Sequence, residues 1–392
     1  MKPVKVADNI YWVGVIDRDL RTFHGYSTPH GSTYNAYLIL DENITLIDTV
    51  KAPFTPALID NIKQITDPAQ IRYIVSNHVE MDHSGGLPAL TGLAPRAEIV
   101  TSNPHGEKGL RRHFKQDWRF HKVKSGDRLN LGKTSLQFIQ TPMIHWPDNM
   151  VSYMPEKKIL FSNDAFGQHL ATTERFDSEY PLPFIMREAT KYYANIVLPY
   201  SKQVQKALQA VESLSIETIA PSHGIIWRQH IDTVKAAYQK WSANQTDAKA
   251  CIIYDTMWHS TAKLAAVIEV AFAAQGIKTQ VFNLQTNHIS DIMTELLTAA
   301  YIAVGSPTLN NNMLPSVAAF LTYMRGLAPR NRRAVAFGSY GWGGQSADLV
   351  ENVLKECGFT IFADKIKTRF IPDQDELEKI KKTITAKTGE TP

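Results

Sequence analysis

Four potential metal ligands crowd into six residues, His78-Val79-Glu80-Met81-Asp82-His83. The segment follows a β-type run over residues 71–76 and precedes Ser84-Gly85-Gly86, which reads as a turn into a helix. A strand alternates its side chains and a helix spreads them, so no single regular element can aim four such neighbours at one point. A loop at the end of a buried strand can. Imidazole nitrogens and carboxylate oxygens together suit a harder, redox-active cation such as iron or manganese better than a thiolate-type zinc site. The plain alternative is a solvated polar loop that happens to hold two histidines, and the rest of the chain argues against it.

The same punctuation recurs along the sequence. A strand over 134–140 runs into Thr141-Pro142-Met143-Ile144-His145-Trp146-Pro147-Asp148, where flanking prolines stop regular structure. A strand over 158–162 ends at Asn163-Asp164, and one over 216–220 ends at Pro221-Ser222-His223-Gly224. Strands that end in ligands on one rim of a sheet build one site. The candidate ligands are then His78, Glu80, Asp82, His83, His145, Asp164 and His223, too many for one four-coordinate zinc. Two metals sharing one carboxylate use the set economically, and Asp164, isolated between the clusters, is the natural bridge. The loop over 23–31 is rich in aromatics and histidine, and its His24 is a candidate to approach the pocket. As a direct ligand His24 is outweighed by an ordinary loop histidine bonded to backbone.

Strands over 10–15, 34–40 and 44–48 and a helix over 54–65 precede the ligand loop, and a strand over 97–101 and a helix over 106–115 follow it. A helix over 226–241 leads to the polar stretch 242–249, which reads as an interdomain linker. Beyond it strands at 250–254, 278–284, 300–305, 333–337 and 360–363 alternate with helices near 260–274, 290–298, 316–325, 346–356 and 374–387. Five βα units imply a doubly wound parallel sheet of flavodoxin type. The expected domains are 1–245 and 250–392.

The first βα turn of this second domain is Asp255-Thr256-Met257-Trp258-His259-Ser260-Thr261. Hydroxyls and backbone amides at a helix N-terminus can wrap a phosphate. The loop lacks the glycines of a dinucleotide or Walker site. Two further loops follow strands of the same sheet. One carries Ser306, Pro307, Thr308, Asn310 and Asn311, which offer polar groups to a ring edge. The other carries Ser339, Tyr340, Gly341, Trp342 and Gly343, which offer aromatic faces and close backbone approach. Together the three loops point to FMN.

Composition excludes several classes. A net charge of +4 over 392 residues, with no basic stripe, gives no sign of nucleic-acid binding. Two cysteines, Cys251 and Cys357, exclude a disulfide framework and any four-cysteine metal centre of this chain. No apolar leader or membrane-length apolar run is seen, and a cytoplasmic protein is expected.

The ligand pattern followed by an FMN-type domain resembles the flavodiiron proteins, over nearly the whole chain. Phe23-His24-Gly25-Tyr26, Thr33-Tyr34-Asn35-Ala36-Tyr37, His145-Trp146-Pro147-Asp148, Ser162-Asn163-Asp164-Ala165-Phe166-Gly167-Gln168 and Tyr192-Tyr193-Ala194-Asn195-Ile196 carry the resemblance. It implies a metallo-β-lactamase-like αββα sandwich followed by a flavodoxin-like doubly wound parallel sheet. It implies two iron ions per chain, one held by His78, Glu80 and His145 and the other by Asp82, His83 and His223, with Asp164 between them. Zinc hydrolases of that fold carry a histidine where Glu80 stands. His24 and Tyr193 are the implied catalytic residues. The implied activity is reduction of O2 to water, of NO to N2O, or both. Electrons pass through FMN from a separate carrier such as rubredoxin, since no rubredoxin or flavin-reductase module follows residue 392. A head-to-tail homodimer, or a tetramer built from it, is implied as well. The competing readings are a two-zinc hydrolase with a flavodoxin-like appendage and an electron carrier with a degenerate metal domain.

Overall fold

The structure, a computed structural model, describes residues 2–389, so Met1 and residues 390–392 of the two expected domains lie outside the described residues. The chain divides into two compact units. The first holds residues 1–24, 28–192 and 202–239, and the second holds 25–27, 193–201 and 240–392.

Two sheets face each other in the first unit. One has seven strands in the order Val4–Ala7, Ile10–Trp12, Tyr37–Ile39, Thr45–Ile47, Tyr73–Ser76, Glu98–Ser102 and Phe120–Val123. The other has five, in the order Arg128–Asn130, Ser135–Gln140, Met150–Met154, Ile159–Asn163 and Thr218–Pro221. Side chains alternate across each sheet. Val75 therefore packs inward with Trp12, Phe138, Met150 and Phe161 between the sheets. Its neighbour Ile74 packs outward with Leu58, Leu87, Leu90 and Leu110 from the covering helices. On the far side Val151 and Leu160 of the second sheet meet Val211 of helix Ser201–Val211. The layers are helix, sheet, sheet and helix, the expected αββα sandwich.

The second unit has a parallel sheet in the order Lys278–Asn283, Asp247–Tyr254, Ala299–Gly305 and Arg333–Tyr340. Two short strands, Thr360–Ile361 and Ile366–Arg369, both pair with Arg333–Tyr340. The order reverses beside the first strand of the unit, which is where doubly wound sheets bind ligands at their carboxyl ends. Phe272, Ile268 and Ile384 from helices Ser260–Ala273 and Gln374–Gly389 pack on one face with Ile252 and Val335. No helix among the described residues is long and apolar enough to cross a membrane.

Several boundaries differ from the sequence expectation. The strand expected over 10–15 is broken at Gly14, where any Cβ would meet Tyr34 O at 2.3 Å. Val15–Asp17 instead pairs with Ser32–Tyr34 in a separate ribbon. The helix expected over 226–241 begins only at Ile231. Ile226 and Trp227 are buried and bonded to the backbone of Arg175 and Ile219, and Asp177 accepts from the amides of Gln229 and His230 before the helix starts. The linker expected over 242–249 is shorter, because helix Ile231–Ser242 and strand Asp247–Tyr254 leave only 243–246 between them. The strand opens with Asp247 and Ala248, both exposed, and the partly exposed Lys249, so hydrophobic alternation did not reveal them. Strands Phe120–Val123, Arg128–Asn130 and Met150–Met154 and helices Leu182–Tyr192 and Ser201–Val211 carried no distinct signal.

Candidate functional site

The topology of the second sheet sets three ligands on one rim. Ser135–Gln140 and Ile159–Asn163 are both antiparallel to Met150–Met154, and Thr218–Pro221 is parallel to Ile159–Asn163. All three outer strands therefore run the same way and end at the same rim, followed by His145, Asp164 and His223. The expectation of a single sheet is corrected in one respect. The loop that carries His78 to His83 follows Tyr73–Ser76 of the other sheet, so both sheets contribute.

Hydrogen bonds fix the ligand loop before any metal is considered. Asp48, itself buried, accepts from Asn77 N at 2.8 Å and from Asn77 Nδ2 at 3.1 Å. Ser84 Oγ donates to the carbonyls of Val79 and Glu80, closing the single turn Met81–Ser84. That turn separates Asp82 and His83 from Glu80. Asp148 Oδ2 accepts from Val79 N at 2.7 Å and lies 2.9 Å from His78 Nδ1, which leaves His78 Nε2 to face the cluster. His223 Nδ1 donates to Thr33 O at 2.7 Å, with the same effect on its Nε2.

The seven candidate ligands fall into two groups. His78, Glu80, His145 and Asp164 form one, and Asp82, His83 and His223 form the other, with donor atoms inside each group within 4.8 Å of one another. Glu80 Oε2 lies 3.3 Å from His78 Nε2 and 3.2 Å from His145 Nε2. Asp82 Oδ1 lies 3.4 Å from His83 Nε2, and its Oδ2 lies 3.2 Å from His223 Nε2. Asp164 faces both groups. Its Oδ2 is 3.4 Å from His145 Nε2 and 3.8 Å from His78 Nε2, whereas its Oδ1 is 3.1 Å from His83 Nε2 and 3.5 Å from His223 Nε2.

The electrostatics match a site built for cations. Burial alone disfavours a charged imidazole, yet the carboxylates around His78, His83 and His145 push all three up to about 10. Burial would raise Glu80 and Asp164, but their histidine partners hold both carboxyls well below the usual range. Both oxygens of Asp82 and both of Asp164 are buried without a hydrogen-bond donor. Leaving a carboxylate so placed is expensive unless a positive charge meets it. Imidazole nitrogens and carboxylate oxygens are the donors that suit first-row transition cations, so the residues present fit a two-metal group.

Of the two expected catalytic residues, one is at this cluster. His24 Nε2 lies 2.6 Å from Glu80 Oε1, and that hydrogen bond raises the proton affinity of a ring that is largely exposed to solvent. Tyr193 is not brought here. It belongs to the second unit, where its hydroxyl lies 3.3 Å from Ser201 Oγ and its ring packs against Trp241. Its neighbour Tyr192 is the tyrosine at the cluster, with its ring centroid 5.1 Å from that of His169 and 6.0 Å from that of His223. Successive helical positions point about 100° apart, so one residue of register separates the two roles. Sequence reasoning also missed Asp148, Ser32 and His169. Ser32 Oγ lies 2.8 Å from His169 Nδ1, beside the bond that orients His223. Asp148 stood three residues after His145 and was the one with a visible signal.

A cleft of about 670 Å³ opens at the carboxyl ends of the parallel strands in the second unit. Met257, Trp258 and Ser260 line it from the first loop, and Pro307, Thr308, Asn310 and Asn311 from the next. Ser339, Tyr340, Gly341 and Trp342 close a third side. Phe370 and Ile371, which sequence reasoning missed, add an apolar edge. Trp258 and Trp342 are 87% and 81% exposed, an unusual state for large aromatics that face no ligand. Five expected contacts do not line the cleft. Ser306 is buried and bonded inward to Leu314 N and Pro307 O. Thr261 Oγ1 pairs with Ser339 Oγ at 2.8 Å. His259 adopts a φ of 63° just before helix Ser260–Ala273, and Gly343 a φ of 83°. Thr256 lies behind the cleft lining, yet its Oγ1 is buried without a hydrogen-bond partner. A buried hydroxyl with nothing to donate to, one turn before a helix N-terminus, fits a phosphate oxygen.

Comparison with known proteins places these sites among relatives. Residues 33–224 match the family described as ODP family beta lactamase, and residues 252–383 match flavodoxin. A nitric oxide reductase of Moorella thermoacetica is 44% identical over 384 residues, covering 96% of this chain and 96% of the relative. The solved rubredoxin oxygen:oxidoreductase of Desulfovibrio gigas superposes with a TM-score of 0.96 at 40% identity, covering 99% of both chains. The flavodiiron protein of Giardia intestinalis superposes with a TM-score of 0.95 at 33% identity, covering 98% of this chain and 96% of that one.

Asp148 gives a direct test of how the ligands are held. Asp148→Ala frees the His78 ring while leaving all seven donor residues in place. Its affinity for Fe(II), measured by chelator competition, is expected to fall about 10–100-fold. Unchanged affinity in a folded variant would show that the Asp148 contact does not orient the ligand.

Proposed function

Because the chain belongs to the flavodiiron protein family, we propose that it is an oxidoreductase that reduces O2 to water, NO to N2O, or both, at a non-haem di-iron site supplied with electrons through FMN. One observation carries the reading. Asp164 turns one oxygen to each of two ligand groups, as a carboxylate shared by two metals must. A two-zinc hydrolase would leave the cleft of the second unit without a role, and Glu80 stands where such enzymes carry a histidine. In this reading His78, Glu80 and His145 hold one iron, and Asp82, His83 and His223 hold the other. The loops at Thr256, Thr308 and Tyr340 hold the flavin.

Bound in these places, the irons would offer coordination positions to a diatomic substrate and the FMN would deliver electrons singly. The protein's own part is orientation, shielding and protons. Asp148 and Thr33 O fix which nitrogen His78 and His223 present. The ligands are buried almost throughout, so bulk water has little access to the substrate side. His24 joins solvent to Glu80, and its raised proton affinity suits it to hold a proton at Nε2 and release it inward. Tyr192 keeps its hydroxyl proton at neutral pH, because burial raises it well above the ordinary tyrosine range.

A rubredoxin-type protein or another reduced carrier is the proposed donor. Two free cysteines fit a reducing compartment, and cytoplasmic placement is proposed on that ground. The test is steady-state consumption of O2 and of NO with the same reduced donor. Turnover of at least one gas is expected, and it should disappear when the iron is chelated. Protein loaded with iron and FMN that consumes neither gas contradicts the reading.

A head-to-tail homodimer is proposed as the working unit, with the flavin of one chain serving the irons of the other. The exposed apolar rim of the cleft, Trp258, Trp342, Phe370 and Ile371, supports a surface that a second chain covers. A two-fold interface makes two such junctions at once. Co-expression of His145→Ala/His223→Ala with Thr256→Ala/Ser260→Glu should give mixed dimers in which one junction has both cofactors intact. About half of the wild-type activity is expected from them. Inactive mixed dimers that retain each intact cofactor would place electron transfer within a chain.

A further inference from the structure

A second, smaller space lies in the first unit beside the ligand cluster. It is a cavity of about 30 Å³ between the outer face of the five-stranded sheet and helix Ser201–Val211. Val151 and Leu160 line it from the sheet, Val204, Leu208 and Val211 from the helix, and Phe166 from the loop after Asp164. The segments that deliver the ligands also form its wall. Ile144 precedes His145, and Asn163 and Ala165 flank Asp164. The cavity thus adjoins the backbone that holds the shared carboxylate, although it contains none of the seven ligands.

The side chains of Asn149, Asn163, Ser162 and Tyr238 in its lining are already engaged. Asn149 Nδ2 donates to Asn163 Oδ1 at 3.0 Å, and Asn149 Oδ1 accepts from Trp146 N at 2.7 Å. Ser162 Oγ donates to Ala165 O at 2.7 Å, and the Tyr238 hydroxyl accepts from Phe166 N at 2.7 Å. A buried water needs two to four polar partners, whereas an apolar cavity stays dry and admits apolar guests such as xenon. A single water occupies roughly 10–15 Å³ on this measure, so the space suits one slightly elongated molecule. Well-packed cores leave few voids larger than a water. Here Ala165 and Ala207 keep one open where a larger side chain would fill it.

O2 and NO are neutral, weakly polar diatomics of about this size, and they partition from water into apolar surroundings. We infer that the cavity is a docking site for the gaseous substrate, a dry reservoir that raises its local concentration beside the metal pair. The inference rests on the proposed O2 and NO reductase activity and adds to it where the substrate waits. A reservoir acts on capture of the gas and not on the chemistry that follows. Its loss therefore raises KM and leaves kcat unchanged.

The test has two parts. Crystals of the iron- and FMN-loaded protein are pressurised with xenon, which is expected between Leu160, Phe166 and Leu208. Ala207→Leu, at a lining residue on helix Ser201–Val211 that is none of the seven ligands, fills the space. It should remove the xenon, leave iron and FMN content and kcat unchanged, and raise KM for each gas that the wild type turns over about threefold or more. Absence of xenon from the wild-type cavity overturns the inference without any variant. So does a filled variant that has lost the xenon site but keeps the wild-type KM. Either result, in a protein that turns over at least one of the gases, leaves the functional reading intact. Loaded wild-type protein that turns over neither gas overturns that reading and the inference with it.

Discussion

Everything in the first unit converges on the carboxylate of Asp164. It is buried, neither oxygen has a well-aligned hydrogen-bond donor, and a pair of histidines stands before each one. An isolated carboxylate in that position would cost several kcal/mol. The fold tolerates it because four imidazoles and two further carboxylates are aimed at the same small volume from two sheets. Cations resolve the conflict. They neutralise the carboxylates and take the histidines in their neutral form, as metal ligation requires. The bonds from Asp48 to Asn77, from Asp148 to His78 and Val79, and from His223 to Thr33 keep the donors in place.

The second unit meets a simpler demand. A parallel sheet gathers its loops at one edge, and the switch in strand order leaves a crevice there. The cleft offers a hydroxyl with nothing to donate to, at Thr256, and two exposed tryptophans, Trp258 and Trp342. A ligand with a phosphate at one end and a flat ring at the other satisfies both features. The two units thus present complementary chemistry, a metal pair for a diatomic substrate and a flavin to supply it with electrons.

Much of this was legible in the sequence, for a physical reason. Ligands must end strands or sit in tight loops, and His78, Asp164 and His223 each lie within two residues of a strand end. The βα rhythm after residue 250 was equally plain, since the central strands Asp247–Tyr254, Ala299–Gly305 and Arg333–Tyr340 carry apolar runs and each is followed by a helix. What stayed hidden depends on register and on long-range contacts. Tyr192 and Tyr193 are indistinguishable by type, and only the helix phase directs the first toward His223 and the second toward Trp241. Asp148 becomes a positioning group only because its loop returns to a residue 70 positions away. Ile226 and Trp227 looked like a helix face, and their pairing with distant backbone could not be read locally. The cavity under helix Ser201–Val211 has no sequence signature at all, because a void is a property of packing.

Two irons that share Asp164 are the central expectation for this molecule. Anomalous diffraction from crystals of the iron-loaded protein, recorded above and below the iron absorption edge, tests this directly. Two peaks are predicted, one among His78, Glu80 and His145 and one among Asp82, His83 and His223, each within bonding reach of a different Asp164 oxygen. A single peak, or two that respond only at the zinc edge, would contradict it.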